Sequence, residues 1–114
     1  MITRALATAS LRPFILAILR EGDSYGYQII QRITDLSTGE IEWKTGTLYP
    51  FLHTLENEGL VESYWQAVEN APRRKYYRLT PLGEKALQQE KMQWVQVHRM
   101  LSQLWGPSPE LAWS

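Results

Sequence analysis

The chain has 114 residues, 44% apolar and 21% charged, with twelve basic residues balanced by twelve acidic ones. That is enough for one domain with a real core and too few for two. The absence of cysteine excludes a disulfide framework and a thiolate metal site, and zero net charge excludes a general polycation while leaving room for a locally basic face.

No apolar run approaches the roughly 20 residues needed to span a bilayer. The N-terminus lacks the charged, apolar and small-residue order of a signal peptide, so a cytoplasmic protein without membrane association is expected. Five Trp and six Tyr are many for a core of this size, which points to indoles at an interface or pocket.

In chain order, Leu11, Phe14, Ile15, Ala17, Ile18 and Leu19 carry helical spacing and predict a first helix over 11–20, with room for a looser helical arm before it. Pro13 suits its first turn. Glu21-Gly22-Asp23 stops it, and Asp23 or Ser24 can cap a second helix, where Tyr27, Ile30, Ile33 and Thr34 or Leu36 recur. Ser37-Thr38-Gly39 ends that helix, and Ile41–Trp43 alternates like a minor strand. Thr45 or Thr47 can cap a third helix. A start at Thr47 would put Pro50 in the first turn, where its missing N–H costs little. Leu48, Phe51, Leu52 and Leu55 form its apolar stripe, and Gly59 suits a left-handed cap.

Leu60–Trp65 reads as a strand, Gln66–Pro72 as a loop and Arg74–Leu79 as the partner strand. Thr80-Pro81 opens a last, long helix to about Leu104, stopped by Pro107 and Pro109. The expected fold class is mainly α with a small β-hairpin (α+β). Three helices, a hairpin and a helix in that order make a winged helix-turn-helix DNA-binding domain over 1–80. A C-terminal dimerisation helix over 81–106 and a flexible tail over 107–114 complete it.

Four of the six residues Arg73 to Arg78 are cationic. A basic strand alone would serve as a charged sheet edge that discourages aggregation. Following a recognition-helix candidate, it instead brings a second cationic source to one nucleic-acid backbone. On helix 45–58, Thr45, Thr47, Tyr49, Pro50, His53 and Thr54 lie off the apolar stripe, and Lys44 precedes them. With Arg73, Arg74 and Lys75 of the wing 66–75, these are the candidate DNA-binding residues. Alternation puts Arg73 and Lys75 on one strand face and Arg74 with Tyr76 on the other.

In the last helix Leu87, Trp94 and Leu101 are seven apart, as are Val97 and Leu104, giving a partial heptad seam that Glu90 interrupts. Such a helix needs a partner to cover it, so a homodimer is expected, with Leu11, Phe14, Leu87, Trp94, Leu101 and Leu104 at its interface. Catalysis is not expected: His53 and His98 stand on different helices, and neither paired carboxylates, a Gly-rich phosphate loop nor metal-ligand spacing is present. No cofactor or metal is expected. A winged helix that binds a protein instead of DNA is the rival reading.

YGYQI at Tyr25–Ile29, GTLYPFLHTLENEGLV at Gly46–Val61 and RRKYYRLTPLG at Arg73–Gly83 resemble the PadR family of bacterial transcriptional regulators. The short length and single C-terminal helix resemble its smaller, multidrug-sensing members. The resemblance implies a homodimeric repressor on double-stranded operator DNA, released by a small aromatic effector. It implies that Trp94 and its two-fold mate would flank that effector, with Leu6, Pro13, Ala17, Val97, His98 and Leu101 as further lining. The chain departs from the family's pattern at Thr54, where relatives often carry a basic residue. It departs again at His98, which replaces an acidic one, and at Pro13.

Overall fold

A computed structural model describes residues 2–106. The chain runs α1 (Arg4–Glu21), β1 (Ser24–Tyr25), α2 (Gly26–Leu36), α3 (Thr45–Asn57), β2 (Val61–Val68), β3 (Ala71–Leu79) and α4 (Pro81–Trp105). The fold is mainly helical with one three-stranded antiparallel sheet, in the order β1-β3-β2. Residues 107–114, including Pro107, Pro109 and the expected tail, lie outside the described residues.

The first helix begins seven residues earlier than the apolar pattern predicts. Thr3 caps it, its Oγ1 accepting from the Leu6 amide at 3.2 Å. Pro13 is therefore interior, the tenth residue of α1, and leaves the Ala9 carbonyl without its usual donor. The helix runs through this interruption because Ala7, Leu11, Ile15, Leu16, Ile18 and Leu19 bury one face on both sides of it. Arg4–Ser10 is mostly small residues, with too little apolar contrast to reveal the period.

The minor strand is Ser24–Tyr25 and not Ile41–Trp43. Ser24 pairs with Tyr77 and Tyr25 with Tyr76, whereas Ile41 is a buried loop residue whose amide donates to Ser37 Oγ at 2.9 Å. Two residues are too short to show a strand period. The N-cap of α2 falls on Tyr25. Its buried face is Gly26, Ile29 and Ile33, and Tyr27 is 61% exposed, so the apolar face is rotated from the predicted one.

On α3 the stripe is as expected: Leu48, Leu52 and Leu55 are buried and Phe51 is half-buried. The helix starts at Thr45, making Pro50 its sixth residue and leaving the Gly46 carbonyl free of its intrahelical donor. It closes with Gly59 at φ 78°, the Gly59 amide donating to Glu56 and the Leu60 amide to Leu55, both at 3.0 Å. The hairpin is longer than predicted. Both strands run nearly to the tip, and the turn is Glu69-Asn70, with Asn70 at φ 58°, rather than a loop over 66–72. Pro72 is tolerated because β1 pairs only with Tyr76 and Tyr77, so that end of β3 is an open edge.

Thr80 caps α4: its Oγ1 accepts from Gly83 at 3.0 Å and donates to the Gly59 carbonyl at 2.6 Å. Gly83 lies so close to the Leu60 backbone that a β-carbon would fall 2.0 Å from its carbonyl oxygen. Gly83 and Leu87 are buried, so the first two turns of α4 share the core of the preceding elements. Every residue from Lys91 to Met100 is exposed.

Candidate nucleic-acid interface

The buried stripe of α3 turns its opposite face outward, and Thr45, Thr47, Tyr49, Pro50, His53 and Thr54 are all exposed there. Tyr49, Pro50 and His53 share a groove of about 690 Å³ with Arg73, Arg74 and Lys75. Residues some 20 positions apart in the chain thus line one concave, cationic surface. Tyr25, Trp65 and Tyr77 complete its lining, and the sequence had not marked them as part of the site.

The aromatic residues orient the cations. Arg73 lies 5.1 Å and Lys75 6.0 Å from the Trp65 ring, Lys75 also 5.7 Å from Tyr77, and Arg74 4.5 Å from Tyr25. Contacts of this kind limit the freedom of long side chains while leaving their charge uncompensated. Among the described residues, no carboxylate pairs with Arg73, Arg74 or Lys75. Arg78 differs, because Glu62 holds its Nη2 at 2.8 Å. Of the four cations in the basic stretch, Arg78 alone is paired with a carboxylate among the described residues. Trp65 is 57% exposed and serves as the platform for Arg73.

The wing root is fixed by a tyrosine cluster. Tyr76 stacks on Tyr64 at 5.8 Å and meets Tyr25 edge-on at 5.4 Å. Tyr64 donates to Asp23 Oδ2 at 2.6 Å, and that bond pushes its phenol pKa up. Tyr77 is buried on the other sheet face. Burial, followed by the nearby Glu56 carboxylate and Tyr49, raises its phenol pKa above the ordinary range. Ser63 bonds the Glu56 carboxylate, tying β2 to α3.

The remaining α3 candidates are placed differently. Lys44 and Thr47 face a second cleft, with Arg4, Glu40, Glu42 and Trp43. The Thr54 hydroxyl donates to the Pro50 carbonyl at 3.1 Å, so it is occupied within the helix. Thr45 is exposed at the first turn and lines neither groove. Tyr49 also reaches back over the start of α2, its hydroxyl close above Gly26. That contact was unforeseen because it joins residues from separate motifs.

Elsewhere, Pro13, Ala17 and Trp94 meet in a groove of about 430 Å³ between α1 and α4, and Pro13, Phe14 and Trp94 in another of about 310 Å³. Leu6, Val97, His98 and Leu101 line neither groove. Of the residues expected at a dimer interface, Leu11 and Leu87 are buried within the chain's own core, Leu87 also lining the first of these grooves. Trp94 and Leu104 are exposed, and Phe14 and Leu101 half-exposed. Glu90, the break in the heptad seam, is held by Arg12 at 3.0 Å and ties α4 to α1.

Among the described residues, no helix is long and apolar enough to cross a membrane, and no group of three or more His, Asp or Glu side chains could hold a metal ion.

The profile of the transcriptional regulator PadR-like family matches residues 15–89. A transcriptional regulator of Mycobacterium tuberculosis is 35% identical over 88 residues, 77% of this chain and 78% of the relative. A transcriptional regulator from Clostridium thermocellum superposes with a TM-score of 0.81 at 33% identity, covering 90% of this chain and 97% of that one. A PadR-family regulator from Eggerthella lenta does so with a TM-score of 0.78 at 31% identity, covering 91% and 88%.

Proposed function

Because the chain belongs to the PadR-like family of transcriptional regulators, which are not enzymes, we propose that it is a cytoplasmic homodimeric repressor that reads a two-fold operator. The observation that carries this reading is the single groove shared by Tyr49, Pro50 and His53 of α3 with Arg73, Arg74 and Lys75 of the wing. The helix enters the major groove and offers Tyr49 and His53 to base edges, while Arg73, Lys75 and Lys44 hold phosphates and set the register. The exposed Trp94, Val97 and Leu104 support pairing of α4 with its copy. The pair would place two reading helices about one DNA turn (on the order of 10 bp) apart. A small aromatic effector binds beside Trp94, where Pro13 and Ala17 line the α1–α4 groove, and releases the operator.

The test is fluorescence anisotropy of a labelled duplex from upstream of the protein's own coding region, titrated at several salt concentrations beside a scrambled duplex. Lys44, Arg73 and Lys75 in two subunits give about six phosphate contacts and a log–log salt slope of about −5. Sequence-selective binding with that slope supports the reading. Equally weak binding to both duplexes with a flat slope would transfer the interface to a protein partner.

A further inference from the structure

Arg73 sits at a break in the hairpin ladder. From Gln66 to Val68 strand β2 advances by two residues, while β3 advances by three from Arg74 back to Ala71, so Pro72 and Arg73 together lie opposite Ala67. A bulge of this kind leaves its extra residue without regular pairing and adds twist, and Pro72 has no amide hydrogen with which to restore the ladder. The backbone alone therefore does not fix the aim of the Arg73 side chain. Lys75 is better held, because it pairs directly with Trp65 in the regular part of the ladder. The Trp65 indole lies under both cations, 5.1 Å from the Arg73 guanidinium carbon and 6.0 Å from the Lys75 ammonium, the second near the limit of a useful attraction. Trp65 follows Ser63 by two residues on the same strand face, and Ser63 is tied to Glu56 of α3. The indole is thus the next side chain outward from that tie, and at 57% exposure it contributes little to the core.

We propose that Trp65 is a positioning residue for operator selection: its ring holds Arg73 across the bulge and so sets which phosphate the wing grips. The inference rests on the reading of α3 and the wing as the DNA interface and adds to it a residue that carries no charge. A cation that swings freely still neutralises a phosphate, on any duplex and in any register. A cation held on a ring suits the one register in which α3 meets its bases. Loss of the indole therefore weakens the operator complex, spares binding to random DNA and leaves the number of phosphates contacted unchanged. A guanidinium–indole contact at an exposed site is worth about twofold, so the two Arg73 side chains of a dimer give about fivefold in operator affinity.

The experiment uses the full chain and the duplex that the wild type enriches from a random pool, beside a scrambled duplex, by anisotropy over several salt concentrations. Trp65→Leu should lose about fivefold on the enriched duplex, keep its affinity for the scrambled one and hold the salt slope near the wild-type value of about −5. Trp65→Phe should recover part of the loss, since it restores a ring face. Mono-, di- and trifluorotryptophan placed at position 65 alone withdraw electrons from that face at nearly constant size, and should weaken the enriched duplex stepwise. An equal loss on both duplexes, a flattened slope in Trp65→Leu, or fluorinated rings as good as the native one overturns the positioning role. If Trp65→Leu does not fold, the fluorinated series, which differs from the wild type by a few atoms, decides alone. A wild-type chain that enriches no duplex removes the DNA reading itself, and this inference with it, before any variant is made.

Discussion

Tyr49 stands where a side chain on Gly26 would have to be. A β-carbon at Gly26 would sit 2.6 Å from the Tyr49 hydroxyl oxygen and 2.8 Å from its ring carbon. The start of α2 and the outward face of α3 are thus fitted through one missing methyl group. Gly26→Ala should gain helix propensity of up to about 1 kcal/mol and offset it by pushing the Tyr49 ring aside. A ring end can move, so the net stability change should stay within about 1 kcal/mol. Operator selectivity should nevertheless fall, as it should in Tyr49→Ala. Thermal unfolding and anisotropy on specific and scrambled duplexes check both parts. A variant with unchanged selectivity would show that the position of Tyr49 is immaterial.

Gly83 has the same shortage of space but a different neighbour. Its hypothetical β-carbon meets the Leu60 carbonyl oxygen at 2.0 Å, and a backbone atom cannot swing away. Gly83→Ala should therefore lower stability by at least about 2 kcal/mol despite the better helix former. A melting temperature equal to that of the wild type would contradict the close approach.

The wing cations should separate by their partners. Arg73→Ala with Lys75→Ala removes four phosphate contacts from a dimer and should flatten the salt slope from about −5 to about −2. Arg78→Ala, one turn of strand further on, should leave the slope nearly unchanged, because Glu62 already compensates that charge. Equal effects from both variants would mean that the ion pair opens on DNA.

Alkaline pH offers a probe of the core. The folded-state pKa of Tyr77 is raised above the ordinary phenol value of 10.0, chiefly by burial. A raised folded value means that the unfolded chain gives up this proton first. The contribution to stability is then full below about pH 10 and is lost as pH rises towards the folded value. Denaturant unfolding should show stability falling above pH 10, and Tyr77→Phe should make that fall shallower. An identical pH profile in the two proteins would assign the loss to other groups.

What the sequence disclosed depended on how far each signal extends along the chain. The stripe of Leu48, Leu52 and Leu55 repeats within one helix, so the face of α3 was legible, as was the Thr80-Pro81 helix start. The first two turns of α1 were hidden because Ala5, Ala7 and Ala9 occupy both faces of the helix alike. Strand β1 was hidden because it is two residues long and held only by its pairing to β3. Within the site, the basic run announced itself by charge. The part played by Trp65 and Tyr25 under those cations depends on cross-strand register, which no local pattern encodes. The orientation of α2 was misjudged because Tyr27 counts as apolar by residue type while facing solvent.

The seating of Gly83 and Thr80 on Gly59 and Leu60 has a mechanical meaning. Those two acceptors form the junction where the α3 helix ends and the hairpin begins. The long helix is therefore bolted at its base to the piece of backbone that joins α3 to the hairpin. From Gly83 to Trp105 the arm is about 33 Å long at the usual rise per residue. A rotation of about five degrees at the bolt sweeps its far end through about 3 Å. Read in the opposite direction, a displacement of that size at the tip reaches α3 and the hairpin as a change of angle, with no flexible linker in between to absorb it.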